Sequence, residues 1–404
     1  MISKRNALLG AVLLVILTVM ITLTVGNIRA LQVGDKVIIS QRMYQNLQDD
    51  TEGLYKLNHL KQFLLEEYYQ ELDEEILIDG ALRGMFEAVE DPYTSYLDGQ
   101  DYSNLMMSTR GSYGGIGIIV TADDDGFVTV ISPIEGTPGE RAGLATGDRI
   151  LRVDDQTVSG NRIDDAVGLM RGEPDTEVVL ELIKRNQSES IELTVMRETI
   201  RIQSVRSELM QDDIGYLRIN SFDEQTARDF QSQMDELLRQ GAGKLILDLR
   251  NNPGGLLNQA IRIGDLLLGE GLIVYTENRH GFRKEEQSDR QMYEVELVVL
   301  INEGSASASE ILAGAIQDHN RGIVIGTTSF GKGLVQELQQ LPDGTGFKYT
   351  VSQYFTPNGR NIHGTGIEPD VVVEVPEELF DEMHELDNAA DPQLQKALEL
   401  LGAQ

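Results

Sequence analysis

Three serines in one short segment are the first residues whose types and spacing could do chemistry. Ser305, Ser307 and Ser309 alternate with alanines after an apolar run, and a helical pattern follows them. A hydroxyl at a helix N-terminus lies at the positive end of the helix dipole, which favours an alkoxide, and nearby backbone N–H groups can bind an oxyanion. Plain N-capping with tight helix packing would use the same residue types. The spacing does not choose among the three serines.

A lysine flanked by glycines offers a base that could match them. Lys332 stands between Gly331 and Gly333 and is followed by apolar residues. Burial there would lower the pKa of the lysine and leave a neutral amine that can take a proton from serine. If residues 334–336 form a strand, Lys332 and Gln336 share a face because a strand has a period of two, and the Gln336 amide can then hold the amine.

The lysine segment also nearly spells a phosphate-binding loop, with Gly326, Gly331 and Lys332 at the required spacing. Such a loop needs Ser or Thr after the lysine to bind Mg²⁺, and Gly333 has no side chain. Metal binding lacks a local signal too, because no two histidines lie within five residues of each other; they are His59, His280, His319, His363 and His384. We therefore predict neither a metal nor another cofactor.

Composition narrows the function classes. The chain has 404 residues and no cysteine, which excludes thiolate nucleophiles, disulfides and Cys-ligated zinc. Its 34 Lys and Arg against 66 Asp and Glu give a formal net charge of −32, so nucleic acid is not a predicted partner. A hydrophobic fraction of 41% can fill sizeable cores, and the length indicates about two or three domains.

The N-terminus carries an uncharged apolar run. Residues 7–25 contain no charge and follow Lys4 and Arg5, and this length just crosses a bilayer. The run is an export signal or a membrane anchor, and the lack of an A-x-A-like cleavage site after it favours an uncleaved anchor. The two cations place the N-terminus in the cytoplasm, so we expect the remaining residues to work outside it.

The elements that must position the serines and the lysine fall into three regions. Residues 46–102 show apolar side chains at helical spacing, and a glycine-rich entry at residue 111 begins a β-rich module that ends near residue 196. From residue 200, strands alternate with amphipathic helices, as in an α/β architecture. Individual predictions are strands at 214–219, 244–249 and 295–301, a capping box at 221–224 before a helix, and a short helix at 391–400 that could serve in dimer contacts.

Together these segments make the chain resemble the carboxy-terminal (tail-specific) processing proteases, the S41 serine peptidase family, which uses a Ser-Lys dyad. The resemblance covers most of the chain after the apolar N-terminal run. Besides the serine and lysine segments, it rests on Gly84-Met85, Asp91-Pro92-Tyr93-Thr94-Ser95-Tyr96-Leu97, Gly115-Ile116-Gly117-Ile118, Leu247-Asp248-Leu249-Arg250-Asn251-Asn252-Pro253-Gly254-Gly255, Thr356-Pro357-Asn358-Gly359-Arg360 and Gly366-Ile367-Glu368-Pro369-Asp370. Several ordered motifs at plausible spacings make the match specific.

The resemblance implies a fold class and its domains. We expect an α/β protease core of the crotonase/ClpP-like type, with an inserted β-rich PDZ domain and a helical N-terminal region after a single transmembrane helix. The implied boundaries are a signal anchor at 1–30, a helical assembly or cap region at 31–105, the PDZ domain at 106–197, the protease core at 198–380 and a C-terminal helical tail at 381–404.

The resemblance also assigns catalytic roles. It makes Ser307 the nucleophile, Lys332 the general base and Gln336 the residue that orients the lysine. It draws the oxyanion hole from backbone N–H groups of the residue after the nucleophile and of the glycine turn, which here are Ala308, Gly254 and Gly255. Glycine is also what any tight strand-to-helix turn would use.

For the β-rich module the resemblance implies peptide binding. In a PDZ domain an incoming peptide adds a strand at a sheet edge, and its terminal carboxylate meets backbone N–H groups. The matching loop is Gly115, Ile116, Gly117 and Ile118, and Arg171 falls where the family couples peptide binding to protease activation. A glycine-bearing edge strand without a ligand is the alternative interpretation of the same loop.

The function implied is that of a single-pass serine endopeptidase of the cytoplasmic membrane whose catalytic part is extracytoplasmic. An apolar protein C-terminus docks in the PDZ domain, and Ser307 cleaves the chain through an acyl-enzyme that water releases. The implied partners are unfolded or C-terminally exposed protein substrates, a regulatory peptide or protein acting through the PDZ domain, the membrane, and a second copy in a homodimer. The competing interpretation is a membrane-tethered PDZ scaffold that binds peptides while its dyad is silent.

Overall fold

A computed structural model describes residues 30–33, 36–39, 41–211, 213–376 and 390–402, together with Leu14 and Thr18. The predicted membrane segment, residues 7–25, lies outside the described residues except for those two. Within the described part of the chain, no helix combines the length and apolar character needed to cross a membrane. The chain divides into two compact units, Met1–Ala88 and Val89–Gln404.

The first unit contains a short antiparallel hairpin and two helices. The hairpin consists of β1 (Ala30–Val33) and β2 (Lys36–Ile39), and the helices are α1 (Gln41–Glu67) and α2 (Glu74–Glu87). The Asp73 side chain caps α2 by accepting the N–H of Glu75 at 2.8 Å. The prediction of helices after residue 46 is confirmed here.

The second unit begins with β3 (Ser95–Leu97) and α3 (Gly99–Arg110), which start within the region that we expected to be wholly helical. β3 pairs with a strand far along the chain, Gly346–Phe355, through Ser95, Tyr96 and Leu97. Asp98 caps α3 by accepting the N–H of Asp101, and Gly111 ends the helix at a φ of 66°.

The predicted β-rich module is present. Its elements are β4 (Ser112–Gly115), β5 (Ile118–Ala122), β6 (Val128–Pro133), α4 (Pro138–Arg141), β7 (Arg149–Val153), β8 (Gln156–Thr157), α5 (Ile163–Met170), β9 (Glu177–Ile183) and β10 (Ser190–Met196). The sheet has the order β10-β9-β7-β6-β5, with β8 paired to β7, and β5 forms one edge. Val128, Ile150 and Leu180 are fully buried between this sheet and its helices. β11 (Glu198–Arg201) leaves the module and pairs antiparallel with β4, which enters it.

The region after residue 200 is the predicted α/β core. Its elements are β12 (Val205–Leu209), β13 (Ile214–Ile219), α6 (Thr226–Arg239), β14 (Lys244–Asp248), α7 (Leu257–Leu267), β17 (Glu296–Ile301), α8 (Ala308–Asp318), β18 (Ile323–Gly326) and β21 (Val371–Val372). The sheet has the order β12-β13-β14-β17-β18-β21, in which the strands from β13 onward run parallel and β12 is antiparallel. All three predicted strands are confirmed.

The two faces of this sheet bury different partners, because side chains alternate along a strand. Leu245 and Leu247 pack with α6, α7 and α8 in the larger core, whereas Ile246 belongs to a second core on the opposite face. That second face is covered by α9 (Pro392–Leu400), which confirms the predicted C-terminal helix. Leu394 and Ala397 of α9 are buried there, so the apolar face that we expected to serve dimer contacts is used within the chain.

A second sheet lies after α7 in the chain and contributes to the site described below. Its order is β16-β15-β20-β19, with β3 paired to β20. The strands are β15 (Gly271–Asn278), β16 (Arg283–Ser288), β19 (Leu334–Gln340) and β20 (Gly346–Phe355).

The predicted capping box at 221–224 is wrong. α6 begins at Thr226, because the preceding residues bond elsewhere. The Phe222 N–H donates to Gly254 O at 2.9 Å, which holds this segment against the glycine turn. The Asp223 N–H donates to the Thr226 hydroxyl at 2.8 Å, and the Asp223 carboxylate accepts the Gln225 N–H at 2.8 Å.

Candidate active site

Three loops that carry the predicted site residues leave neighbouring parallel strands at the same end. The loops follow β14, β17 and β18, and β17 lies between the other two in the sheet. In open α/β sheets, this carboxyl edge is where sites assemble. The loops are joined by backbone bonds: the Ala306 N–H donates to Asn252 O at 3.0 Å, and the Phe330 N–H donates to Ser305 O at 3.0 Å.

The structure distinguishes the three serines. Ser305 and Ser309 are fully buried, and their hydroxyls donate to the backbone oxygens of Leu249 at 2.8 Å and Asn252 at 3.0 Å. Both therefore have structural partners. Ser307 is only partly buried, so it is the one of the three serines with surface that remains exposed. The arrangement favours Ser307 as the nucleophile among the three.

Ser307 occupies a special backbone position at the N-cap of α8. Its φ is 55° and its ψ is −112°, a region that residues with a Cβ rarely adopt. The Ser307 N–H donates to the carboxylate of Glu310 at 2.8 Å, as in a capping box. Strained backbone that the surrounding contacts hold in place is typical of functional sites.

Lys332 lies in the loop after β18, beside an aromatic ring. Its Nζ is 4.6 Å from the centroid of the Tyr93 ring, and no hydrogen bond joins it to the Ser307 hydroxyl among the residues that the structure describes. Burial, with repulsion from Lys348, lowers the pKa of Lys332, while Asp91 and Glu310 oppose the shift. A lowered lysine pKa increases the neutral fraction that can act as a base.

Gln336 is oriented differently from our expectation. Lys332 precedes β19, and a β-bulge between Val335 and Gln336 interrupts the alternation from which we placed the two side chains on one face. The Gln336 amide contacts the Thr350 hydroxyl at 3.4 Å instead of the lysine amine. Thr350 in turn donates to Asp91 at 2.6 Å.

Asp91 anchors the turn that carries Tyr93. Its carboxylate accepts the Tyr93 N–H at 3.0 Å and the hydroxyls of Thr94 and Thr350, each at 2.6 Å. Burial alone would raise the pKa of Asp91, but these hydrogen bonds outweigh it and hold the pKa below its usual range. The turn therefore presents a charged carboxylate and an aromatic ring to the Lys332 side of the site.

The glycine turn lies against the nucleophile. A Cβ on Gly254 would stand 2.8 Å from the Ser307 Cβ, so only glycine allows this approach. The Gly254 N–H donates to Asn252 Oδ1 at 2.9 Å and is therefore not available to an oxyanion. The Gly255 N–H has no partner among the described residues, and the Ala308 N–H belongs to the first turn of α8, where backbone donors lack helical partners. Ala308 and Gly255 thus retain donors.

The predicted peptide-binding loop joins β4 to the edge strand β5. Ile116 is buried and its carbonyl accepts the Gly139 N–H at 2.7 Å, while Gly117 has a φ of 73°. A Cβ on Gly117 would stand 2.4 Å from the Thr137 side chain. Gly115 ends β4 and Ile118 begins β5, which is an edge strand of its sheet in the part of the chain that the structure describes.

Arg171 lies beside the same loop, at the end of α5. Its guanidinium carbon is 5.1 Å from the centroid of the Tyr113 ring on β4, and its Nε is buried without a hydrogen-bond partner. The next residue, Gly172, donates its N–H to Gly114 O at 3.1 Å. Arg171 therefore lies next to the strand that leads into the loop.

Sequence reasoning missed three residues of the site. Glu310 could have been found, because Ser307-Ala308-Ser309-Glu310 fits the S-x-x-E capping signal. Tyr354 reaches the site from β20 and Tyr93 from the turn before β3, so their roles depend on tertiary contacts that no local pattern encodes.

Family models match the regions described above. The chain matches the family models of peptidase family S41 over residues 213–373, a PDZ domain over 129–184 and the activating protease CtpB N-terminal domain over 24–101. It is 38% identical to carboxy-terminal processing protease CtpA of Bacillus subtilis, over 80% of this chain and 69% of that protein. It is 37% identical to the carboxy-terminal-processing protease of Bartonella bacilliformis, over 84% of this chain and 80% of that protein. A solved photosystem II D1 C-terminal processing protease shares 33% identity at a TM-score of 0.48, over 83% of this chain and 92% of that one.

Proposed function

The chain belongs to peptidase family S41, among the carboxy-terminal processing serine proteases with a PDZ domain, and we propose that it cleaves proteins with a dyad of Ser307 and Lys332. One observation carries the assignment. An accessible serine at the N-terminus of α8 and a lysine whose pKa burial lowers stand on neighbouring loops, and the same carboxylate, Glu310, accepts the backbone N–H of both.

In the proposed reaction, Ser307 Oγ attacks the carbonyl carbon of the scissile bond while neutral Lys332 takes the hydroxyl proton. The N–H groups of Ala308 and Gly255 stabilise the charge on the carbonyl oxygen. The C–N bond then breaks, the Lys332 ammonium gives its proton to the leaving amine, and an acyl ester remains on Ser307. Water, deprotonated by the same lysine, then attacks the ester carbon. The C–O bond to Ser307 breaks, and the lysine ammonium returns its proton to the Ser307 oxygen.

The lysine amine must approach Ser307 for this chemistry. In the structure it lies over the Tyr93 ring, and catalytic hydrogen bonds often form only when substrate is bound. Gln336, held on the Thr350 side, remains a proposed orienting residue that would act on the approaching amine.

A cleavage assay tests the dyad. The soluble fragment from residue 31 is incubated with an unfolded reporter protein that ends in apolar residues, and the products are identified by mass spectrometry. Ser307→Ala and Lys332→Ala should each abolish cleavage, whereas Ser309→Ala, which removes only a buried structural hydroxyl, should retain most of it. Cleavage that persists in Ser307→Ala and disappears in Ser309→Ala would contradict the assignment.

For the PDZ domain, we propose that a protein C-terminus adds a strand to β5 and places its carboxylate at Gly115–Ile118. The edge position of β5 among the described strands and the glycine-rich loop support this role. Arg171 lies close to the loop, which supports its proposed role in coupling peptide binding to activation of the protease. The bound peptide would be either a substrate C-terminus or part of a regulatory peptide or protein.

For the N-terminus, we propose a single-pass anchor at residues 7–25 in the cytoplasmic membrane, with the catalytic part extracytoplasmic. The uncharged run after Lys4 and Arg5 supports it. The full chain should remain with membranes after an alkaline carbonate wash, and deletion of residues 1–30 should release it. Release of the full chain by the wash would contradict the anchor.

We also propose a homodimer that uses the N-terminal unit. A stripe of exposed apolar side chains along α1 supports it. Single exposed apolar residues are ordinary on a protein surface, whereas a continuous stripe of them marks an interaction site. The stripe consists of Leu54, Leu57, Leu60, Phe63 and Leu64. Sedimentation of the soluble fragment should give a dimer, and Leu60→Glu with Phe63→Glu should give a monomer. A wild-type monomer at micromolar concentration would contradict the proposal.

A further inference from the structure

Two buried side chains contact the backbone of both proposed dyad residues. Glu310 Oε2 accepts the Ser307 N–H at 2.8 Å and the Lys332 N–H at 2.9 Å. The Tyr354 hydroxyl lies 3.1 Å from the carbonyl oxygen of Ser307 and also contacts the carbonyl oxygen of Lys332. Glu310 therefore accepts the N–H of each dyad residue, and the single Tyr354 hydroxyl lies between their two carbonyl oxygens, either of which can accept its proton.

The second carboxylate oxygen of Glu310 binds the rest of the lysine loop. Oε1 accepts the Ser329 hydroxyl at 2.6 Å and the Gly331 N–H at 2.7 Å. Glu310 is fully buried, and burying a carboxylate is costly unless hydrogen bonds replace its water. Here the donors come from the nucleophile and from the loop that carries the base, so the cost is offset only when both are in place.

We propose that Glu310 and Tyr354 are positioning residues that fix the nucleophile and the base relative to each other. This inference rests on the proposed Ser307–Lys332 dyad. The two residues stand on separate loops, and Ser307 has a backbone conformation that needs external support. Catalytic groups must be held within about half an ångström of productive geometry, and one carboxylate with one hydroxyl provides that hold from the buried side.

Glu310 acts on the base through its charge as well. The charged and titratable groups that face Lys332 are Glu310 from α8, Asp91 and Tyr93 from the turn before β3, and Lys348 and Tyr354 from β20. Burial and Lys348 lower the pKa of Lys332, while Asp91 and Glu310 raise it. Removing the Glu310 charge should therefore lower the pKa of Lys332 further. Substitution of a residue with only a structural role would leave that pKa unchanged.

The test compares kcat, KM and the pH profile of purified full chain. Glu310→Gln keeps the volume and removes the charge, and we expect kcat to fall about 10- to 100-fold with little change in KM, as for other residues that orient a catalytic group. The acidic limb of the pH–activity profile should move to lower pH, because a lower pKa of Lys332 means that the amine loses its proton at lower pH. Tyr354→Phe keeps the buried ring, and we expect about a tenfold lower kcat with no shift of the limb.

Glu303→Gln is the matched control, because Glu303 stands in the loop that leads into α8 but is exposed, and its carboxylate accepts only the Thr327 hydroxyl in the described structure. It should leave kcat and the pH profile unchanged. The inference is overturned if Glu310→Gln lowers only the thermal unfolding midpoint, or if folded Tyr354→Phe matches the wild type in kcat. Activity that survives Ser307→Ala would instead overturn the proposed dyad, so the two failures are distinguishable.

Discussion

Lys332 is the residue whose surroundings most directly set the proposed chemistry. Its surroundings affect its pKa in opposite directions. Burial and Lys348 lower the pKa of Lys332, and the carboxylates of Asp91 and Glu310 raise it. A lysine base acts only in its neutral form. Activity should therefore rise with pH through a pKa below the ordinary lysine value of 10.5.

Replacing Lys348 should shift the acidic limb of the pH–activity profile, where activity rises as Lys332 loses its proton, in a direction that its charge predicts. Lys348→Gln removes a like charge, so the pKa of Lys332 should rise and the acidic limb of kcat/KM should shift to higher pH. Lys244→Gln is the control, since Lys244 begins β14 at the opposite end of the sheet and pairs with Asp213 at 3.1 Å. A limb that stays in place in Lys348→Gln, or moves equally in both variants, would contradict the assignment of that limb to Lys332.

At the scale of elements, the sequence predicted much of the site, but part of the site could not be predicted from it. Apolar strands alternating with helices predicted the α/β core, and the small residues of the serine segment marked the junction before α8. The shared face of Lys332 and Gln336 was predicted from an unbroken strand, which the bulge at Val335 interrupts. Tyr354 comes from a strand of another sheet, so only the tertiary fold brings it to Ser307.

A buried ion network ties α9 to the strand that leads into the glycine turn. Arg250 contacts Asp248 at 2.7 Å and Asp391, the N-cap of α9, at 2.7 Å, and the guanidinium and both carboxylates are almost fully buried. Burial alone would raise the pKa of Asp248, but Arg250 outweighs it and holds the pKa below its usual range. The stabilisation is therefore complete above the unfolded-state pKa and is lost as pH falls through the lower folded-state pKa.

Removing this guanidinium should destabilise the core strongly. Arg250→Ala leaves two buried carboxylates without their cation, and we expect the free energy of unfolding to fall by about 3–5 kcal/mol at neutral pH. Urea unfolding followed by circular dichroism measures it. Arg290→Ala removes an exposed pair with Glu270 and should change stability little. Equal effects of the two substitutions would show that the buried network does not support the sheet.

At the scale of the whole molecule, the β-rich module connects to the core through the paired strands β4 and β11. β4 leads directly into the loop at Gly115–Ile118, so the proposed peptide site and the connection to the protease share one strand. The net charge of −32 favours solubility of the large part that we propose lies outside the cytoplasm.

A glycine pair tests the peptide site. Gly117→Ala places a Cβ at a positive φ and 2.4 Å from Thr137, and it should weaken binding of a peptide with an apolar C-terminus at least about tenfold, since such a clash distorts the loop. Gly126→Ala has a φ of 82° but open space around the Cβ, so it should keep the affinity. Fluorescence anisotropy with a labelled peptide measures both. Equal affinities would place peptide binding elsewhere.

The central claim is that Ser307 is a nucleophile activated by Lys332, and covalent labelling tests it most directly. The full chain is treated with a fluorophosphonate probe, which reacts with activated serines, and the modified peptide is mapped by mass spectrometry. We predict one adduct on Ser307, none in Ser307→Ala, and labelling at least about 100-fold slower in Lys332→Ala because the base is lost. An adduct on Ser305 or Ser309, or an unchanged rate in Lys332→Ala, would contradict the claim.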